Sequence, residues 1–143
     1  MKNGNYIKIE FPARSANEAL ARSAVAAFAV QLDPTLDELG DIKTAVSEAV
    51  TNAIVHAYPS VLGTVWLKAR IVDGEVLEIT VRDKGCGIEN LQQAMEPLYT
   101  TGGEERSGMG FTIMESFTDK LQVRSRPGKG TTVMMRRQFR KRR

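Results

Sequence analysis

The sequence is poor in the residues that serve redox and metal chemistry. Cys86 is the sole cysteine among 143 residues, which excludes an internal disulfide and any multi-cysteine zinc site. His56 is the sole histidine. No apolar run approaches the roughly 20 residues that span a bilayer, and the opening MKNGNYIKIEF carries no apolar signal core. A complete Gly-x-x-x-x-Gly-Lys-Ser/Thr phosphate loop is missing. Gly128-Lys-Gly-Thr131 echoes only its end and joins two strand-like runs, so a hairpin turn is the better reading. There is no internal repeat and no low-complexity linker. These absences lead to the expectation of one cytoplasmic domain over residues 1–143, with no membrane partner.

The charge is also less than it first suggests. The formal net charge is +3, yet six of the last eight residues are basic, Arg136, Arg137 and Arg140 to Arg143. Taking those six from the 20 basic residues leaves 14 against 17 acidic ones, a net of −3 for residues 1–135. The basicity therefore reads as a property of a short tail at 136–143, and no direct nucleic-acid partner is expected.

What is present is an ordered set of elements. Residues 6–11 alternate as a strand. Ser15-Ala-Asn-Glu18 has the form of a capping box and predicts a helix to about Leu32, stopped by Asp33-Pro34. A second helix is expected over 36–56. There, Val46, Val50, Ala53 and Ala57 form an apolar stripe, and Glu48, Asn52 and His56 a polar one. Two hairpins follow, 64–82 around Asp73-Gly74 and 120–139 around 126–130. Between them lie a short helix at 89–95, a polar lid-like stretch at 97–107 and a helix from Gly110 to Phe117. Helices lead and hairpins follow, which favours an α+β two-layer sandwich over a parallel βαβ fold.

Three cassettes carry candidate chemistry. Glu48 and Asn52 lie one turn apart on a helix face, with Ala45, Ala49 and Ala53 leaving room beside them. An amide oxygen suits Mg²⁺, which takes oxygen ligands and keeps waters and phosphate oxygens around it. A carboxylate there suits a general base. Asp83 ends a strand and is followed by Gly85 and Gly87, so a carboxylate stands beside backbone that a ligand can approach closely. Ser107-Gly108-Met-Gly110 opens a helix, whose free amides suit a phosphate, with Arg106 beside it as a charged ligand.

The segments EAVTNAIVHAY (48–58), VRDKGCG (81–87) and SGMGFTIME (107–115) resemble the N-box and the two glycine boxes of one ATP-binding family. It is the GHKL or Bergerat family, shared by DNA gyrase, the Hsp90 chaperone, histidine kinases and MutL. Segments outside the boxes, FPARSANEALAR, QLDPTLDEL, PLYTTGGEERSGMGFTIMESF and KGTTV, are similar to the anti-sigma serine kinases of spore-forming bacteria. That resemblance implies a mixed, mostly antiparallel sheet with helices on one face. It implies a homodimer that uses ATP/ADP and Mg²⁺, holds a sigma factor (sigma F in the sporulation members) and phosphorylates an anti-anti-sigma protein on serine. It also implies roles: Glu48 as base, Asn52 as Mg²⁺ ligand, Asp83 on the adenine amino group with Thr131 helping through water. Gly85, Gly87, Gly108 and Gly110 would shape pocket and lid, Arg106 would meet the γ-phosphate, and Arg22 would lie on the surface for protein partners. The lid is shorter than the subfamily pattern and lacks its usual proline. An anti-sigma B type kinase of the general stress response is the near alternative. A histidine-kinase fragment and a non-enzymatic nucleotide-binding regulator are the distant ones.

Overall fold

The computed structural model describes residues 4–58, 62–88 and 110–139. The short helix and lid expected over 89–107, and with them Arg106, Ser107 and Gly108, lie outside the described residues, as does the tail beyond 139. In chain order the elements are β1 (Tyr6–Pro12), α1 (Ala16–Ala29) with a 3-10 turn (Val30–Leu32), α2 (Leu36–Val55), β2 (Thr64–Val72), β3 (Val76–Asp83), α3 (Gly110–Ser116), β4 (Lys120–Arg126) and β5 (Gly130–Gln138). Each element expected in these stretches is present within two or three residues of its expected ends.

The strands form one sheet in the order β1-β2-β3-β5-β4. All four pairings are antiparallel, the side on which a mixed, mostly antiparallel sheet was expected to fall. The hairpin turn at 73–75 has positive φ at Asp73 (54°) and Gly74 (80°), the twist that suits a tight antiparallel connection.

Strand alternation divides the sheet into two unlike faces. Register places Ile9, Leu67, Val81, Val133 and Val123 in one row, and Ile7, Ala69, Ile79, Met135 and Leu121 in the next. These rows lie beneath the helices, where Leu67, Ala69, Ile79, Val81, Val133 and Met135 are buried in the core with Val25, Val46, Val50 and Met114. Burying each large aliphatic side chain contributes about 1.5–3 kcal/mol, so this face supplies most of the fold's driving force. Helix α2 lies in the middle of the helical layer, and its Ala45, Ala49 and Ala53 are all buried. Their small size lets α1 and α3 close in on either side.

No helix of the described residues lies on the opposite face. Its strand positions hold eight basic side chains: Lys8 on β1, Lys68 and Arg70 on β2, Arg82 on β3, Arg136 on β5, and Lys120, Arg124 and Arg126 on β4. Only two acidic ones, Glu10 and Glu78, accompany them. The positive charge of the chain is thus not confined to its tail, as the linear charge sum suggested. Alternation concentrates it on one side of the sheet.

The helix starts required one correction. Ser15 precedes α1 but has helical backbone angles (φ −54°, ψ −35°) and accepts no side-chain hydrogen bond. A capping oxygen reaches the free amides from extended backbone, so the expected box does not form. The capping box is instead Thr35 with Glu38, at the start of α2. There, the Glu38 amide donates to Thr35 Oγ1 (3.0 Å) and the Thr35 amide to Glu38 Oε1 (2.8 Å). Glu18, released from capping, accepts from Ser47 Oγ at 2.7 Å and ties α1 to the helix that carries Glu48.

Candidate functional site

The site is built where the C-terminal half of α2 meets the start of α3 and the end of β3. Glu48 and Asn52 are half-buried on the polar stripe of α2. Their side chains converge on Gly110, the first residue of α3. A Cβ at Gly110 would stand 3.2 Å from Asn52 Nδ2, 3.4 Å from Asn52 Oδ1 and 3.5 Å from Glu48 Oε1. Glycine there admits the helix start directly against the amide and the carboxylate. This brings two of the three cassettes together, although 54 or more residues of sequence separate them from one another.

The third cassette is stitched to the same helix by main chain. The Cys86 amide donates to the Ala57 carbonyl at 2.8 Å, just past the end of α2. Gly85 lies so close that a Cβ would collide with the Ala57 carbonyl oxygen. Gly87 has φ +74°, and a Cβ on it would strike the Arg126 carbonyl oxygen at the β4–β5 turn. The Gly128 amide closes that junction by donating to the Cys86 carbonyl at 2.6 Å.

Asp83 is 7 % exposed. Its Oδ1 accepts from the Gly85 amide (3.0 Å) and the Thr131 amide (3.2 Å). Burial pushes its carboxyl above the ordinary range and outweighs the two amide donors, which pull the other way. Thr131 is the direct cross-strand neighbour of Asp83, and its hydroxyl lies 2.7 Å from Ser125 Oγ. Asp83 and Thr131 thus share one corner of the site.

Arg22 stands apart on α1. It pairs with Glu18 at 3.5 Å, and its side chain is 39 % exposed.

Three contributors were not legible in the sequence. Ser125 accepts from the Ile88 amide at 2.8 Å and bonds Thr131, joining β4 to the glycine loop. The Tyr58 hydroxyl accepts from the Lys84 amide (2.8 Å) and donates to the Thr64 carbonyl (2.7 Å), bracing the end of α2 against β2 and β3. Gly130 lies directly against the Asp83 carbonyl. Each acts across a sheet register or helix junction, and a lone serine, tyrosine or glycine has no local pattern to mark it.

The described residues hold no cluster of three or more His, Cys, Asp or Glu suited to a metal ion. None of their helices is long and apolar enough to cross a membrane. Chemically, the site offers one carboxylate and one amide side by side, and a buried carboxylate among backbone amides.

Comparison with known proteins agrees with this architecture. Residues 11–137 match the family model of the histidine kinase-like ATPase domain. The anti-sigma F factor of Clostridium kluyveri is 57% identical over 136 residues, covering 94% of this chain and 95% of the relative. That of Caldanaerobacter subterraneus subsp. tengcongensis is 54% identical over 136 residues, covering 94% of each. Among solved structures, the RsbU and RsbW domains of a Mycobacterium tuberculosis protein superpose with a TM-score of 0.69 at 18% identity, over 94% of this chain and 32% of that one. The mycobacterial sensor histidine kinase MprB gives 0.60 at 15% identity, over 96% and 98%. A blue-light activated histidine kinase of Erythrobacter litoralis gives 0.59 at 29% identity, over 75% of this chain. The chain spans about a third of the Mycobacterium tuberculosis and Erythrobacter litoralis chains.

Proposed function

Since the chain belongs to the histidine kinase-like ATPase domains and, within them, to the family of the anti-sigma F factors, we propose that it inhibits a sporulation sigma factor and is a serine kinase. Its substrate is the anti-anti-sigma protein that opposes that inhibition. It works in the cytoplasm as a homodimer. The observation that supports the enzymatic half is the convergence of Glu48 and Asn52 on Gly110, a carboxylate and an amide side by side at the start of α3.

The residues fit ATP with a magnesium ion. One carboxylate and one amide make no cage of their own, and Mg²⁺ is held in this way when water and phosphate oxygens complete its shell. Asn52 would supply the protein oxygen, and the ion would neutralise charge on the phosphates. Asp83 accepts a hydrogen bond from the adenine amino group, with Thr131 beside it. Glu48 accepts the proton of the target serine hydroxyl as the serine oxygen attacks the γ-phosphorus. The bond from that phosphorus to the β,γ-bridging oxygen breaks, and ADP leaves. Phosphoryl transfer demands mainly positioning and charge stabilisation, which a carboxylate fixed on a long helix provides. Arg106, Ser107 and Gly108 belong to the phosphate side of this reading. Arg22, exposed on α1, belongs to the surface that meets the sigma factor and the anti-anti-sigma protein.

The test is transfer from labelled ATP to a purified anti-anti-sigma protein, with nucleotide binding measured in parallel. Glu48→Ala is expected to bind ATP as the unsubstituted protein does and to lose at least about a hundredfold in transfer rate, the range of a positioned general base. Equal transfer by both proteins removes Glu48 from the base role. Phosphohistidine in place of phosphoserine refutes the serine-kinase reading.

A further inference from the structure

We infer that the basic face of the sheet, on which no described helix lies, is a docking surface for an acidic segment of a protein partner. It is distinct from the surface around Arg22 and borders the nucleotide corner at Asp83 and Thr131, but it does not depend on either role. The observation behind it is electrostatic cost. Lys8 lies directly opposite Lys68 in the β1–β2 register, and Lys120 directly opposite Arg136 in the β4–β5 register. Like charges in facing positions destabilise a sheet. Glu78 is largely consumed by Arg70 (2.7 Å) and Arg136 (2.7 Å). Lys8, Lys68, Arg82, Lys120, Arg124 and Arg126 form no ion pair among the described residues. An anionic partner would relieve this crowding.

The charges also gather into a concave feature. Arg82, Lys84, Arg124, Arg126 and Lys129 line one cleft at the ends of β3, β4 and β5. Among the described residues its one acidic lining residue is Asp83, whose carboxylate already accepts two backbone amides.

Carboxylates are favoured over nucleic acid because cations stand over both aromatic rings of this face, although Tyr6 remains 56% exposed. Trp66 is covered by Arg82 (5.0 Å from the ring centroid) and Lys84 (5.2 Å), and Tyr6 by Lys8 (5.7 Å) and Lys68 (5.8 Å). Single-stranded binders stack bases on exposed aromatic rings, and here a base would have to compete with these cations for the ring faces. A second copy of the chain is disfavoured too, because it would bring the same positive surface against itself.

The experiment uses the full chain and a short fluorescein-labelled oligo-glutamate peptide, read by anisotropy at low salt. Lys68→Glu/Arg124→Glu is compared with Arg14→Glu/Lys43→Glu, which makes the same charge change at exposed positions off this face. The face variant is expected to lose about tenfold or more in peptide affinity, and the control less than about twofold. Nucleotide binding confirms that each variant is folded. If the face variant does not fold, Lys68→Gln/Arg124→Gln gives the same comparison with an expected loss of about threefold. Three results overturn the inference: equal losses in face variant and control, tighter binding of a labelled oligothymidine than of the peptide, or a face variant that shifts from dimer to monomer in sedimentation while its peptide affinity holds.

Discussion

The two faces of the sheet come from the same strands and differ in everything but their backbone. Leu67 and Lys68 are neighbours in sequence, as are Ile79 and Thr80, yet each first residue lies in the core and each second one on the open side. On the helix side, side chains are chosen for volume and dryness, and the few polar groups there, such as Asp83, are enclosed by backbone donors. On the open side they are chosen for charge, and apart from Glu78 with Arg70 and Arg136 the facing charges include like pairs such as Lys8 with Lys68. One face therefore holds the molecule together and carries the candidate chemistry at its end. The other adds little to stability beyond the Glu78 pairs and sets like charges opposite one another at Lys8–Lys68 and Lys120–Arg136.

The sharpest break in the comparison is expected at Ile79, in the central strand and 1% exposed. Ile79→Ala should destabilise by about 2–5 kcal/mol, the range for deleting a packed aliphatic side chain. Urea unfolding would measure it, and a loss below about 1 kcal/mol would mean that the helix-side face is not the packed one.

A smaller effect is expected at the polar edge of that face. Asp83→Asn keeps an oxygen for the Gly85 and Thr131 amides while removing a carboxyl that burial holds above its ordinary pKa. An acid whose folded pKa is raised is stabilising when protonated. Its cost is absent below the unfolded value near 3.9 and develops as pH rises through the higher folded one. The variant should thus be no less stable than the parent at neutral pH, yet weaker for ATP by about 1.5–3 kcal/mol, on the order of ten- to a hundredfold. Calorimetry separates the two quantities, and unchanged ATP affinity would detach Asp83 from nucleotide recognition.

The smallest effect belongs to the open face. Burial alone would raise the Glu78 carboxyl, but the hydrogen bonds and charges of Arg70 and Arg136 outweigh it and hold the group below its ordinary value. Its contribution is present above the unfolded pKa and lost as pH falls through the depressed folded one. Glu78→Gln should therefore cost about 1 kcal/mol near neutral pH and progressively less in acid. Lys68→Ala, by contrast, should stay within about 0.5 kcal/mol at any pH. A pH-independent cost at Glu78 would show that packing, not charge, is what it contributes.

Much of this was legible in the sequence where the information is local. The apolar stripe of α2, the Asp73-Gly74 turn and the order of the three cassettes all depend on residues a few positions apart. The charged face was not, because β3 pairs with β5 rather than with its successor, and only that order sets Arg82 near Arg124. The capping box at Ser15 failed for a subtler reason. Sequence supplies the right atoms, but the backbone enters α1 already helical, and the competing contact from Ser47 takes Glu18. Convergence on Gly110 is likewise tertiary, since α3 must cross α2 at one residue.

The junction of Ala57, Cys86 and Gly128 has a consequence for how such a site can vary. Its carbonyl and amide groups are common to nearly every amino acid, so neither Cys86 nor Lys84 need keep its side chain for the loop to keep its path. Only Gly85, Gly87 and Gly130, where any branch would meet a carbonyl, are unable to drift. The loop beside Asp83 can thus change its lining almost freely while its outline stays constant, a mould whose shape is inherited separately from its surface.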